Sequence, residues 1–261
     1  MPTANVNGTA IYYEDTGGTG PVLIFSHGMM LDVEMFRPQI KALSARYRCI
    51  AWDQRGFGRT GEVFAPFTFW DSARDELGLL DTLNVKKATF IGLSQGGFVA
   101  MRAALLAPER VNALVLIATR QDSDSAEEIE GVRGLLAEWE ANGSVNVRDT
   151  LSGRILGDVH PGPWFDKWAK MSKTALRYPG EALTSRDDLT PRMDEFKFPT
   201  LVIHGEADQA IPVAMGVDLA GRLPNCKSFI RVPGADAAHC LTLSHPQAVT
   251  TALTEFLARW A

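Results

Sequence analysis

The stretch from residue 88 to 107 fixes most of what this chain can become: Ala-Thr-Phe-Ile-Gly-Leu-Ser-Gln-Gly-Gly-Phe-Val-Ala-Met-Arg-Ala-Ala-Leu-Leu-Ala. An apolar, β-favouring run, Ala88 to Ile91, leads into Gly92-Leu93-Ser94-Gln95-Gly96. A helix rich in small residues then runs to Pro108. A G-x-S-x-G between a strand and a helix is the setting in which a serine sits on a sharp, strained turn with its hydroxyl clear of the sheet. Side chains at Gly92 and Gly96 would crowd that turn. Ser94 also falls at the start of the helix, where free N–H groups and the dipole favour negative charge. The same five residues could make an ordinary Gly-rich turn with Ser94 as an N-cap, so the rest of the chain must decide.

The chain has 261 residues, 46% of them hydrophobic, enough for one large α/β domain with an insertion or for two small domains. A net charge of −5 with no basic cluster argues against nucleic acid. No apolar run approaches the length of a membrane span, and the start, Met1-Pro2-Thr3-Ala4-Asn5, carries no secretory signal. Cys49, Cys226 and Cys240 lack C-x-x-C spacing and read as reduced thiols of a cytoplasmic protein. No metal-ligand spacing is present, and neither metal nor cofactor is expected.

Short strands and helices alternate along most of the sequence. Val6-Asn7-Gly8-Thr9 is a hairpin signal joining two edge strands. Pro21–Phe25, Arg48–Trp52, Val111–Ile117, Thr200–His204 and Lys227–Val232 are apolar strands, the first of them a continuous run of the kind buried on both faces. Helices are predicted over Asp32–Tyr47, Phe67–Leu83, Pro212–Leu223 and Pro246–Trp260. The alternation stops after Ile117. From Arg120 to about Glu195 the pattern is helical, with Gly131–Ala141, Val147–Leu156, Pro163–Tyr178 and Gly180–Arg186 as short helices. Such a block reads as a cap (120–195) inserted into a core made of 1–119 and 196–261. Trp164, Phe165 and Trp168 are candidate walls of a pocket beneath it, or else residues that pack cap onto core.

Three residues stand at carboxyl ends of strands in the order serine, acid, histidine: Ser94, Asp208 and His239. Serine alone is a poor nucleophile at neutral pH. His239 would act as general base, and Asp208 would fix its tautomer. Glu206 and Asp122 are the rival acids. The loop Ser26-His27-Gly28-Met29-Met30 follows a strand and can supply one backbone N–H, at Met29, for an oxyanion hole; Gln95, next to the nucleophile, supplies the other. His27 and His204 read as structural, His245 as a helix-start residue, and Asp53-Gln54-Arg55-Gly56-Phe57-Gly58 as a turn held by an Asp–Arg pair.

The serine–acid–histidine order, the His27-Gly28 loop, the turn from Asp53 to Gly58, the elbow at Ser94, Gly205-Glu206-Ala207-Asp208 and His239 together resemble the α/β-hydrolase superfamily over essentially the whole chain. Within it the sequence is similar to small carboxylesterases and 3-oxoadipate enol-lactonases. Two departures stand out. The histidine loop is about two residues longer than the usual Pro-Gly-Ala-Gly-His form. Met30 occupies a position where perhydrolase-like relatives carry proline. The resemblance implies a mostly parallel sheet with helices on both faces and an inserted cap. It also implies a cofactor-free serine hydrolase of a small, largely apolar ester or lactone. A carbon–carbon bond hydrolase of the same fold would need acid-binding groups in the cap, for which Arg120 and Arg133 are candidates. A non-catalytic, receptor-like protein on the same scaffold is the third reading.

Overall fold

The computed structural model describes residues 2–261. Its eight strands are β1 (Thr3–Val6), β2 (Thr9–Asp15), β3 (Val22–Ser26), β4 (Arg48–Trp52), β5 (Ala88–Leu93), β6 (Val111–Ile117), β7 (Thr200–Gly205) and β8 (Cys226–Val232). They form one sheet in the order β1-β2-β4-β3-β5-β6-β7-β8. The β1–β2 and β2–β4 pairs are antiparallel; every pair from β4 to β8 is parallel. Asn7 and Gly8 turn the first hairpin with φ of 47° and 77°, the twist that two-residue hairpins require.

The inner strands are apolar at consecutive positions because both faces are covered. Ile24, Ile50, Phe90, Leu114 and Val202 point to one side, against α2 (Phe69–Thr82), α3 (Gln95–Leu106) and α8 (Val213–Arg222). Leu23, Phe25, Ala51, Ile91, Val115 and Ile203 point to the other, against α1 (Arg37–Leu43) and α10 (Pro246–Trp260). The fold is α/β: a mostly parallel sheet with helices on both faces. The chain leaves β3 towards one edge of the sheet and returns to build β5 on the other side. The crevice between these two strands, beyond their carboxyl ends, is where such sheets bind ligands.

Among the described residues no strand lies between Ile117 and Thr200. That segment holds α4 (Ala126–Asn142), α5 (Arg148–Ile155), α6 (Gly162–Trp168), α7 (Arg177–Thr184) and a 3₁₀ turn, Thr190–Glu195. Three sequence-predicted helices differ most, while α7 begins three residues before the expected Gly180. α4 starts five residues before Gly131, because Ser125 and Glu128 form a capping box that the acidic composition concealed. The helix expected over Pro163–Tyr178 breaks after α6. There Ser172 Oγ accepts the Thr174 N–H and donates to Glu62, taking the backbone off the helical ladder. The helix expected from Asp32 begins instead as a 3₁₀ turn, Val33–Phe36, capped by Asp32. A four-residue helix, α9 (Leu241–Ser244), precedes α10.

Glu76 of α2 is buried beneath the end of β3. Ser26 Oγ donates to its Oε1 at 2.7 Å, and Trp52 Nε1 donates to Ser26 Oγ at 2.8 Å. Burial, only partly offset by the Ser26 hydrogen bond, pushes the Glu76 carboxyl up to about 8. The folded protein therefore keeps a proton that the unfolded chain gives up above its ordinary carboxylate range. Stability falls as pH rises through that window, and the cost is complete above about 8. In thermal melts from pH 5 to pH 9, Glu76→Gln should gain on the wild type by at least about 3 °C. A gap that stays constant with pH would show that Glu76 does not titrate in this window.

Candidate active site

Ser94 sits at φ 54° and ψ −119°, a strained backbone region for a residue with a side chain. Its backbone is held on every side: its N–H donates to Ile117 O at 2.9 Å, and its carbonyl accepts from Gly97 N at 2.8 Å and from Thr119 Oγ1 at 2.9 Å. Its hydroxyl caps nothing in α3. A Cβ at Gly92 would overlap the Gly96 carbonyl, and one at Gly96 would overlap the carbonyl of Ser26 on the neighbouring strand. The two glycines are what let β5 turn this sharply into α3. An N-cap serine would show extended backbone and a side-chain bond, and Ser94 has neither.

Asp208 follows β7. Its Oδ1 accepts the Ala210 and Ile211 N–H groups, each at 2.9 Å, and its Oδ2 lies 2.8 Å from His239 Nδ1. Burial alone would raise the Asp208 carboxyl, but the charge of His239 and hydrogen bonds from His204 and His239 hold it well below the usual carboxylate range. Asp208 is therefore ionised at neutral pH. His204, fully buried at the end of β7, places Nε2 2.8 Å from Ile211 O and 3.2 Å from Asp208 Oδ2, a contact the sequence reading missed. The rival acids lie elsewhere. Glu206 pairs with Arg231 at 2.7 Å, and Asp122 with Arg120 at 2.6 Å. The longer histidine loop is taken up by tight turns, Ala237 N to Gly234 O and Ala238 N to Asp236 O, so His239 still reaches the acid.

The loop after β3 lies beside the elbow. Gly28 comes so near that a Cβ there would stand 3.6 Å from Ser94 Cβ. His27 is fully buried, with Nδ1 on Gly28 O at 2.7 Å and Nε2 accepting the Gln54 N–H at 2.9 Å. Gln54 also donates to the His27 carbonyl and accepts from Gln95 Nε2 at 3.0 Å. Burial lowers the His27 pKa, so this histidine is a neutral strut for the loop. Asp53 accepts the Val33 and Arg59 N–H groups, at 2.9 and 2.7 Å. The turn is structural as expected, but the expected Asp–Arg pair is not: Arg55 reaches Asp75 of α2 at 2.6 Å.

A cavity of about 150 Å³ opens over Ser94 and is lined also by Met29, Gln95 and His239. Its remaining walls are mostly aliphatic: Val132, Leu135 and Leu136 from α4, Leu151 and Ile155 from α5, and Leu176. Asp124, Arg186 and Arg154 supply the charged groups, and Arg186 is paired with Asp124. Among the described residues no cluster of His, Cys, Asp and Glu is grouped as metal ligands would be, and no helix is long and apolar enough to cross a membrane. The buried thiols of Cys49 and Cys240 are pushed up to about 12 by desolvation, which leaves them unreactive.

The α/β-hydrolase fold family model matches residues 21–156, just over half of the chain. The chain belongs to this family. A putative non-heme bromoperoxidase of Mycobacterium tuberculosis is 32% identical over 94% of this chain and 96% of its own. Among solved structures, the enol-lactonase of Burkholderia xenovorans superposes with a TM-score of 0.88, at 28% identity, over 98% of this chain and all of its own. A thermophilic esterase of Thermogutta terrifontis does so with 0.87, also at 28% identity, over 98% and 96%.

Against this family background one sequence expectation is corrected. Trp164, Phe165 and Trp168 do not line the cavity that contains Ser94. They lie on α6, which packs against the loop after β3, whereas α4 and α5 cover the serine. Trp164 is covered by Lys167, 4.4 Å from its ring centre, and Phe165 packs on Trp168. Trp168 Nε1 donates to Met30 O at 2.8 Å. The proline of perhydrolase-like relatives could not follow this backbone at Met30, where φ is +63°, because proline is fixed near −65°.

Proposed function

We propose that this protein is a serine hydrolase that cleaves a small, largely apolar ester or lactone through an acyl-enzyme on Ser94. The observation that carries the proposal is the 2.8 Å contact of His239 Nδ1 with Asp208, on a histidine that shares one apolar cavity with Ser94. With Nδ1–H given to Asp208, Nε2 is the basic nitrogen. Ser94 Oγ attacks the carbonyl carbon and its proton passes to His239 Nε2. The Met29 and Gln95 N–H groups hold the oxyanion, each donor worth roughly 3–4 kcal/mol. Collapse expels the alcohol, or opens the lactone ring, with the proton returned by His239. Water then repeats the sequence on the acyl-enzyme. Residues 120–195 act as the cap that shapes the acyl site.

The carbon–carbon hydrolase reading loses both of its sequence candidates, although Arg154 of α5 lines the cavity. Arg120 is bound by Asp122 and Glu128 and does not line the cavity; nor does Arg133. A receptor-like reading gives no reason to keep a strained Ser94 whose hydroxyl caps nothing.

A hydrolysis panel of aryl esters of rising acyl length, lactones and meta-cleavage diketones tests the assignment. A cavity of about 150 Å³ resembles in size one that holds benzene. Short acyl groups should therefore be preferred, with kcat/KM rising by about 4-fold for each carbon that is buried and falling once further carbons must displace packed side chains. Leu151→Ala should move the optimum to longer chains, and Trp164→Ala should leave the profile where it is. A wild-type optimum at long chains, or preferential cleavage of the diketones, would count against this reading.

A further inference from the structure

The loop that carries Met29 is held from above by one residue of the helical segment. Gly28 to Leu31 form a tight turn closed by Leu31 N to Gly28 O at 3.2 Å. Met30 takes the third position of that turn with φ +63°, a conformation suited to glycine. Nothing in a methionine side chain favours it, so neighbours must hold it. From below, His27 Nδ1 binds Gly28 O at 2.7 Å. From above, Trp168 Nε1 donates to Met30 O at 2.8 Å, from a side chain only 1% exposed. The adjacent Lys167 anchors the same helix end, with Nζ 2.6 Å from Asp32 Oδ2 and 2.8 Å from Glu34 Oε2.

We propose that Trp168 is a positioning residue: its indole N–H fixes the Met30 carbonyl, and through that turn it aims the Met29 N–H at the oxyanion. The proposal rests on the hydrolase reading for what the N–H does, but not for how the turn is held. It makes oxyanion binding depend on α6, so that the inserted segment completes the catalytic machinery as well as covering it. Trp168 reaches the reaction only through the loop; its own side chain does not line the cavity that contains Ser94.

Trp168→Phe removes the donor and keeps an aromatic ring. It should lower kcat for a short aryl ester by roughly 10-fold or more while KM stays within about 2-fold, because the lost interaction exists only in the transition state. Affinity for an aryl trifluoromethyl ketone, which adds to Ser94 Oγ as a tetrahedral oxyanion, should fall by the same factor. Trp139→Phe is the control. It deletes an equivalent N–H bond, to Ser172 O at 3.1 Å and not to the loop, and should leave kcat unchanged. In hydrogen–deuterium exchange, the amides of residues 28–31 should exchange faster in Trp168→Phe than in the wild type. If that variant does not fold, 3-benzothienylalanine at position 168 keeps the indole shape without the N–H. If Ser94→Ala keeps wild-type turnover, the hydrolase reading is at fault and exchange alone judges the strap. If Ser94 is required but Trp168→Phe keeps wild-type kcat and ketone affinity, the positioning role is overturned. Unchanged exchange at residues 28–31 overturns it in either case.

Discussion

Ser94→Ala should fold like the wild type and lose turnover by a factor on the order of 10⁴ or more. The separation of the two effects follows from the elbow. Every hydrogen bond that shapes the turn uses the Ser94 backbone, and the hydroxyl caps nothing. Removing it leaves an alanine in the same strained φ, so the melting temperature should move by only a degree or two. Ser94→Gly should go further. Glycine reaches φ 54° and ψ −119° without a Cβ penalty, and the relief of about 1–3 kcal/mol exceeds the roughly 0.5–1 kcal/mol entropic cost of glycine. A protein that melts higher while losing its activity would mark strain kept for chemistry. Intact-protein mass spectrometry after fluorophosphonate treatment should show one adduct on the wild type and none on either variant. An adduct that persists on Ser94→Ala, with activity to match, would place the nucleophile elsewhere.

The elbow and the sheet could be read from the sequence because both are local. Gly92 and Gly96 are demanded by contacts within a few residues or with the adjacent strand, and the inner strands announce burial on two faces by unbroken apolar runs. The Asp208–His239 pair was legible because each member sits in the loop that follows a strand, in a recognisable order. The cavity wall was not. Which face of α4 or α5 looks onto Ser94 depends on how short helices pack, and their periodicity gives only an apolar stripe. Trp164, Phe165 and Trp168 carried the strongest apolar signal in the segment, yet none of them lines the cavity over Ser94, and Trp168 instead anchors α6 to the loop after β3. Size marks a residue as buried without saying against what. Arg55 shows the same limit in polar form. Its nearest acid in sequence, Asp53, is taken by the backbone N–H groups of Val33 and Arg59, so its guanidinium crosses to Asp75.

Asp208→Asn should cut kcat by about 10⁴-fold with little change in stability, and the hydrogen bonds around the side chain say why. Oδ1 accepts two backbone N–H groups, from Ala210 and Ile211. An asparagine must keep its carbonyl oxygen there, since an NH₂ group facing two donors would leave all of them unsatisfied. Its NH₂ then takes the place of Oδ2 and points at His239 Nδ1, with His204 Nε2 close by. The imidazole can meet a donor only by presenting an unprotonated Nδ1, which moves its proton to Nε2. That is the nitrogen required to accept the proton of Ser94, so the base is held in the unusable tautomer while the geometry is preserved. KM should change little, because Asp208 touches the histidine and not the substrate. Asp122→Asn is the comparison that decides the acid. Its partner Arg120 keeps Glu128 at 2.9 Å, and turnover should stay within a few-fold of wild type. If Asp122→Asn abolishes turnover and Asp208→Asn retains it, the acid has been placed after the wrong strand.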